Sequence, residues 1–97
     1  MIMIGQNGRI DMTYADELRD LAYYNTDKES YYKVRKYYES LREDMKEEAI
    51  KGNWFIYADS KDVLKSVLAT NILNSFAKQD GIEITYYRYT NKICFSW

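Results

Sequence analysis

Few side chains in this sequence could make or break bonds. It has no histidine and one cysteine, Cys94. Without imidazole there is no histidine general base, no histidine-dependent triad and no histidine metal ligand. One thiol cannot build a zinc or iron–sulfur centre. Nor can it form an intrachain disulfide, which fits a reducing compartment. Cys94 lies in a strand-like stretch, Ile93-Cys94-Phe95, with no base beside it to create a thiolate, and reads as a small buried hydrophobe. The glycines at 5, 8, 52 and 81 are scattered, so no phosphate-binding loop is formed. Acidic residues gather on a helix and not in a calcium loop. Neither a cofactor, a metal nor an enzymatic activity is expected, because the roles an active site needs are unfilled.

What remains are side chains that bind. Glu39, Glu43, Asp44, Glu47 and Glu48 occupy the second half of a long helix, after Lys33, Arg35 and Lys36 in its first half. That order opposes the helix dipole, at about a few tenths of a kcal/mol per exposed charge. Lys46 and Lys51 offset it, and Glu47 to Lys51 is a favourable i,i+4 pair. The bland reading is a solvated face; the sharp one is an acidic patch for a basic groove on a partner, as a nucleic-acid mimic would present.

Tyrosine supplies 11 of the aromatic residues, with doublets at Tyr23-Tyr24, Tyr31-Tyr32, Tyr37-Tyr38 and Tyr86-Tyr87. Neighbours in a helix or strand cannot both face the core. With Tyr31, Tyr38 and Tyr86 inward, Tyr32, Tyr37 and Tyr87 point outward or sideways. Exposed tyrosine suits protein contact, so Tyr32 and Tyr37 join the acids as candidate partner-binding residues. Beside bases, tyrosine can also stack a nucleobase. Tyr32, Arg35, Tyr37 and Arg88 are the alternative, nucleotide-binding set. A third constellation, Phe55, Tyr57, Tyr87 and Tyr89 with Cys94, falls on the second face of a small sheet, where a partner or a second copy would cover it.

The elements that position these groups follow from periodicity and punctuation. Thr13 is a good N-cap for a helix over 14–24, with Asp16 completing a capping-box pattern. Tyr14, Leu18, Leu21 and Ala22 share one face of it. A second helix over 27–50 carries the stripe Tyr31, Val34, Tyr38, Leu41, Met45 and Ala49, and Gly52 suits a left-handed C′ residue. A strand over 54–58 leads through Asp59-Ser60 into a third helix over 61–79. Its stripe is Val63, Leu64, Val67, Leu68, Ile72, Leu73, Phe76 and Ala77. Gly81 ends it, with Ile82 placed to touch Phe76 or Ala77. Strands over 82–88 and 92–97 alternate cleanly, and a turn centred on Thr90-Asn91 pairs Tyr86 with Phe95 and Ile84 with Trp97. The strands flanking the third helix should run parallel through its crossover, with the last strand between them.

Ninety-seven residues make one domain. The plan is α+β: two N-terminal helices, then β-α-β-β forming a small three-stranded mixed sheet packed on helices, over residues 13–97. Residues 1–12 are an N-terminal segment, either a hairpin around Gly5-Gln6-Asn7-Gly8 or an upstream extension ahead of a start at Met12. A net charge of −1 gives no global pull toward nucleic acid or membrane. No apolar run approaches the roughly 18 residues of a membrane span. Tyr, Lys, Asn, Ile, Asp and Glu dominate, as AT-rich coding produces.

Ala49-Ile50-Lys51-Gly52, Gly81-Ile82 and Ile93-Cys94-Phe95-Ser96-Trp97 mark a helix ending in Ala-x-x-Gly, a strand, a helix ending near Gly, and a hairpin closing on an aromatic-Ser-Trp tail. This half of the chain resembles small uncharacterised proteins of bacterial viruses. The shared motifs are packing and capping residues, and they carry no site. The resemblance implies a viral origin and the cytoplasm of an infected bacterial cell. The function expected is a non-enzymatic accessory protein that binds and inhibits a host or defence-system protein, with homodimerisation open. The alternatives are a virion structural component and a small-nucleotide-binding protein.

Overall fold

Each helix begins at a side chain that accepts a backbone N–H. In the computed structural model, which describes residues 13–60, 66–87 and 89–97, α1 spans Tyr14–Thr26, α2 Lys28–Ile50 and α3 Val67–Gln79. Thr13 caps α1 in a reciprocal capping box with Asp16. Asp27 serves two helices. Its N–H bonds the Tyr23 carbonyl at the end of α1, and its carboxylate accepts from the Ser30 N–H in the first turn of α2. Ser66 caps α3 through the Ala69 N–H. α3 thus starts at Val67, and a start at Lys61 with the stripe residues Val63 and Leu64 lies outside the described residues. Ser60 is buried, and its N–H extends strand pairing to the Asn91 carbonyl; the helix that Asp59-Ser60 is expected to cap would begin outside the described residues.

Both glycine endings follow the expected form. Gly52 and Gly81 have φ of 90° and 72°, the left-handed region that glycine enters without steric cost. Asn53 N–H then reaches the Glu48 carbonyl at 2.9 Å, and Ile82 N–H the Ala77 carbonyl at 2.8 Å. These 6→1 bonds complete two Schellman endings.

Strands β1 (Phe55–Asp59), β2 (Glu83–Tyr87) and β3 (Lys92–Ser96) form one sheet in the order β1-β3-β2. The last strand is central, as expected. Both pairings are antiparallel, so the sheet is antiparallel rather than mixed. β1 and β2 run the same way at opposite edges, and β3 separates them. The hairpin register also differs from the expected one. Ile84 faces Phe95 and Tyr86 faces Ile93, a two-residue slip. The hairpin tightens through Thr90 N–H to the Tyr87 carbonyl, with Asn91 at φ 54°, so it centres one residue earlier. A slip of two preserves which side chains face the core.

The helices lie on one side of the sheet. Tyr31, Val34, Tyr38, Leu41 and Met45 of α2 meet Ala69, Ile72, Leu73 and Ala77 of α3 and Ile56, Ile93 and Phe95 of the sheet. Helical spacing puts Ala49 and Val67 in the apolar stripes, but both are exposed, one in the last turn of α2 and the other in the first turn of α3.

α1 turns its expected face outward. Tyr14, Leu18, Leu21 and Ala22 are exposed, whereas Asp16, Asp20, Tyr23, Tyr24 and Asp27 are half-buried. That second set is also at helical spacing and lies on the opposite side. Tyr31 decides the choice. Its buried hydroxyl needs an acceptor and donates to Asp20 at 3.0 Å, and its ring meets Tyr24 edge-on at 5.4 Å. A buried phenol without a partner would cost about 1–3 kcal/mol, so the polar-aromatic face docks.

Candidate functional site

Alternation along β1 puts Ile56 and Ala58 inward and Phe55, Tyr57 and Asp59 outward. Four large apolar residues occur in a row at Trp54-Phe55-Ile56-Tyr57, and a half-buried strand can hide only alternate ones. The outer face therefore carries a row of rings. Phe55 and Tyr57 lie 5.4 Å apart, and Tyr57 and Tyr87 lie 6.0 Å apart across the sheet. They are 48%, 60% and 44% exposed. Cys94 sits beneath this row, opposite Tyr57 and Thr85, half-buried, its thiol pushed up by burial. A raised thiol is a poor nucleophile. Tyr89 is not on the sheet face: it stands in the hairpin turn, fully exposed. Lys92 and Asp59 pair on the outer face beside Tyr87.

The acidic half of α2 divides into committed and free carboxylates. Glu39 pairs with Arg35 at 3.5 Å. Glu48 accepts from Asn53 Nδ2 at 2.7 Å and Lys51 Nζ at 3.1 Å, which holds its carboxyl below the usual range. The expected Glu47–Lys51 pair does not form, because Glu48 lies nearer to Lys51 and also fastens the helix ending. Among the described residues, Glu43, Asp44 and Glu47 have no ion-pair or hydrogen-bond partner.

Two surfaces that look separate in the sequence meet here. A cleft of about 520 Å³ between α2 and β1 is lined by Asp44, Glu47, Glu48, Asn53, Phe55, Ile56 and Tyr57. The free carboxylates Asp44 and Glu47 thus share its lining with Phe55 and Tyr57, the edge-strand residues that carry the outward rings. Trp54, read from the sequence only as the start of a strand, is exposed beside it.

No protein-family model, curated protein or solved structure matches this chain. Function must therefore be read from the surface itself.

Three of the tyrosine doublets divide as expected, whereas Tyr23 and Tyr24 are both half-buried on the docked face of α1. Tyr31 and Tyr38 are buried, while Tyr32 and Tyr87 are exposed. Tyr37 points sideways, and its hydroxyl donates to the Asp59 carbonyl at the end of β1. Tyr32 packs edge-on against Tyr24 at 5.8 Å, away from the cleft.

Of the nucleotide set, Tyr32 and Arg35 are neighbours on α2, and Tyr37 is not brought to them. Arg35 lines a different cleft, of about 230 Å³, among the three helices. There the polar groups satisfy one another: Tyr31 with Asp20, Tyr38 and Arg42 with Asp80, and Arg35 with Glu39. Tyr37 is on the other flank of α2, and Arg88 lies outside the described residues. Among the described residues no group of three acidic or thiol side chains could hold a metal ion, and no helix is long and apolar enough to cross a membrane.

Proposed function

We propose that this protein works by binding another protein through the outer sheet face and the adjoining acidic flank of α2. We further propose that it is a virus-encoded accessory protein whose binding inhibits a host or defence protein in the bacterial cytoplasm. One observation carries the binding reading: the exposed row Phe55–Tyr57–Tyr87 borders the unpaired carboxylates Asp44 and Glu47. Protein interfaces favour an aromatic centre with a polar rim, and this surface has both. Viral origin is supported by the helix–strand–helix–hairpin layout, with its aromatic-Ser-Trp tail, and by the AT-rich residue usage.

The test uses two baits of matched stability, the native chain and the triple variant Tyr57→Thr, Glu43→Lys, Glu47→Lys. All three positions are exposed, so folding should survive. A host protein retained by the native chain and lost by the variant, and whose activity falls on binding, supports the proposal. Equal capture by both baits, or no specific capture, overturns it.

A further inference from the structure

Among the described residues β1 is an edge strand, and the outward backbone groups of Phe55 and Tyr57 have no partner. Trp97 N–H bonds the Trp54 carbonyl at 3.1 Å, and Ser60 N–H bonds the Asn91 carbonyl at 2.9 Å. The even-numbered residues of this stretch thus face β3, and antiparallel alternation turns the N–H and C=O groups of Phe55 and Tyr57 to the open side. Such a row is a template for another strand, and sheets usually blunt it with proline, lysine or a covering element. Among the described residues only the Asp59 end is closed, by the Tyr37 hydroxyl. The open part runs along the α2–β1 cleft.

We propose that β1 takes up an extended, basic segment of a partner protein as a fourth strand. This rests on the binding surface proposed above and states its mode. An added strand alternates its side chains between the two faces. One set would lie over Asp44 and Glu47 of α2, and the other beside Phe55 and Tyr57. The segment that fits alternates lysine or arginine with apolar residues. A second copy of this chain fits poorly, since edge-to-edge pairing of two β1 strands brings Asp44 and Glu47 of each copy toward those of the other. Backbone pairing supplies affinity and the alternate side chains supply selectivity, as in other strand-addition complexes.

The probe is the capped peptide (Lys-Val)3, with (Glu-Val)3 and two N-methylated forms of (Lys-Val)3, methylated on the lysines or on the valines. Binding to the full chain is followed by amide exchange and tryptophan fluorescence, to which Trp54 and Trp97 both contribute. The expected result is slowed exchange at Phe55 and Tyr57 with (Lys-Val)3 and no binding of (Glu-Val)3. At least one N-methylated form should bind tenfold or more weakly, because methylation removes the donors while keeping the charge. Tyr57→Pro, which deletes the outward N–H as well as the ring, should weaken binding more than Tyr57→Thr, which deletes the ring and keeps the N–H; the methylated peptides carry the test if the proline variant unfolds. Equal affinity of all lysine peptides, or no binding, overturns strand addition. So does concentration-dependent protection of Phe55 and Tyr57 without peptide, which would make a second copy the occupant. If (Lys-Val)3 fails while the triple-variant bait still loses its partner, strand addition falls and the surface reading stands.

Discussion

The hydroxyl of Tyr38, midway along α2, donates to Oδ2 of Asp80, the residue that closes α3, at 2.8 Å. The same carboxylate lies 3.5 Å from Nε of Arg42, and the Tyr38 ring stacks on Phe76 at 5.9 Å. One side chain thus joins the two core helices by a polar tip and an apolar body.

Tyr38→Phe keeps the ring and deletes the donor. Asp80 remains partly solvated and keeps Arg42, so no buried charge is stranded. The expected loss is about 1 kcal/mol, the net contribution of one hydrogen bond, read from urea unfolding with an unchanged slope.

Alkaline pH should weaken the fold before it ionises the native hydroxyls of Tyr37, Tyr38 and Tyr31. Burial, then the Asp59 carboxylate and Tyr86, push the Tyr37 hydroxyl up to about 12 from 10.0. Above pH 10 the unfolded chain has released a proton that the folded chain still holds, so stability falls as pH rises from about 10 to about 12. Tyr38 and Tyr31 are raised by burial and by Asp80 and Asp20, and act in the same direction. The urea midpoint should drop over this window, less steeply in Tyr37→Phe.

Leu21 and Leu73 look alike by helical periodicity and differ in the fold, at 61% and 0% exposed. Leu21→Lys should change stability by no more than about 0.5 kcal/mol, as surface substitutions do. Leu73→Ala should cost about 2–5 kcal/mol through the cavity it leaves. Thermal unfolding of the two variants compares them directly.

Asp27 is the single residue between α1 and α2. The Ser30 backbone and hydroxyl hold its carboxyl below the ordinary 3.8, so the contribution of its charge is full above 3.8 and lost as pH falls from there through the lowered folded value. Asp27→Ala should cost about 1 kcal/mol at neutral pH, the usual effect of losing an N-cap. Asp27→Asn should keep most of the cap and flatten the acid limb of the stability profile. Asp16, also lowered by its cap bonds to Thr13, leaves a residual slope.

The experiments above separate local from long-range information. Thr13 with Asp16, Gly52, Gly81 and the stripe Tyr31-Val34-Tyr38-Leu41-Met45 were readable because capping, left-handed backbone and helical period act within a few residues. The central place of β3 was readable too, since Ile93 and Phe95 are its most apolar alternating pair. The docking face of α1 was not. Periodicity marks Tyr14-Leu18-Leu21 as apolar, but the need of the Tyr31 hydroxyl for Asp20 is a demand set by another helix. The hairpin register escaped for a related reason: slips of two leave the same side chains inside, so the pattern cannot distinguish them, and the turn at Thr90 and Asn91 selects one. The carboxylates of α2 and the rings of β1 were visible separately. Packing of α2 along the open edge of β1 set them on one cleft, because helix–sheet contacts depend on complementary surfaces distant in the chain, while spacing along one element reports only its own faces.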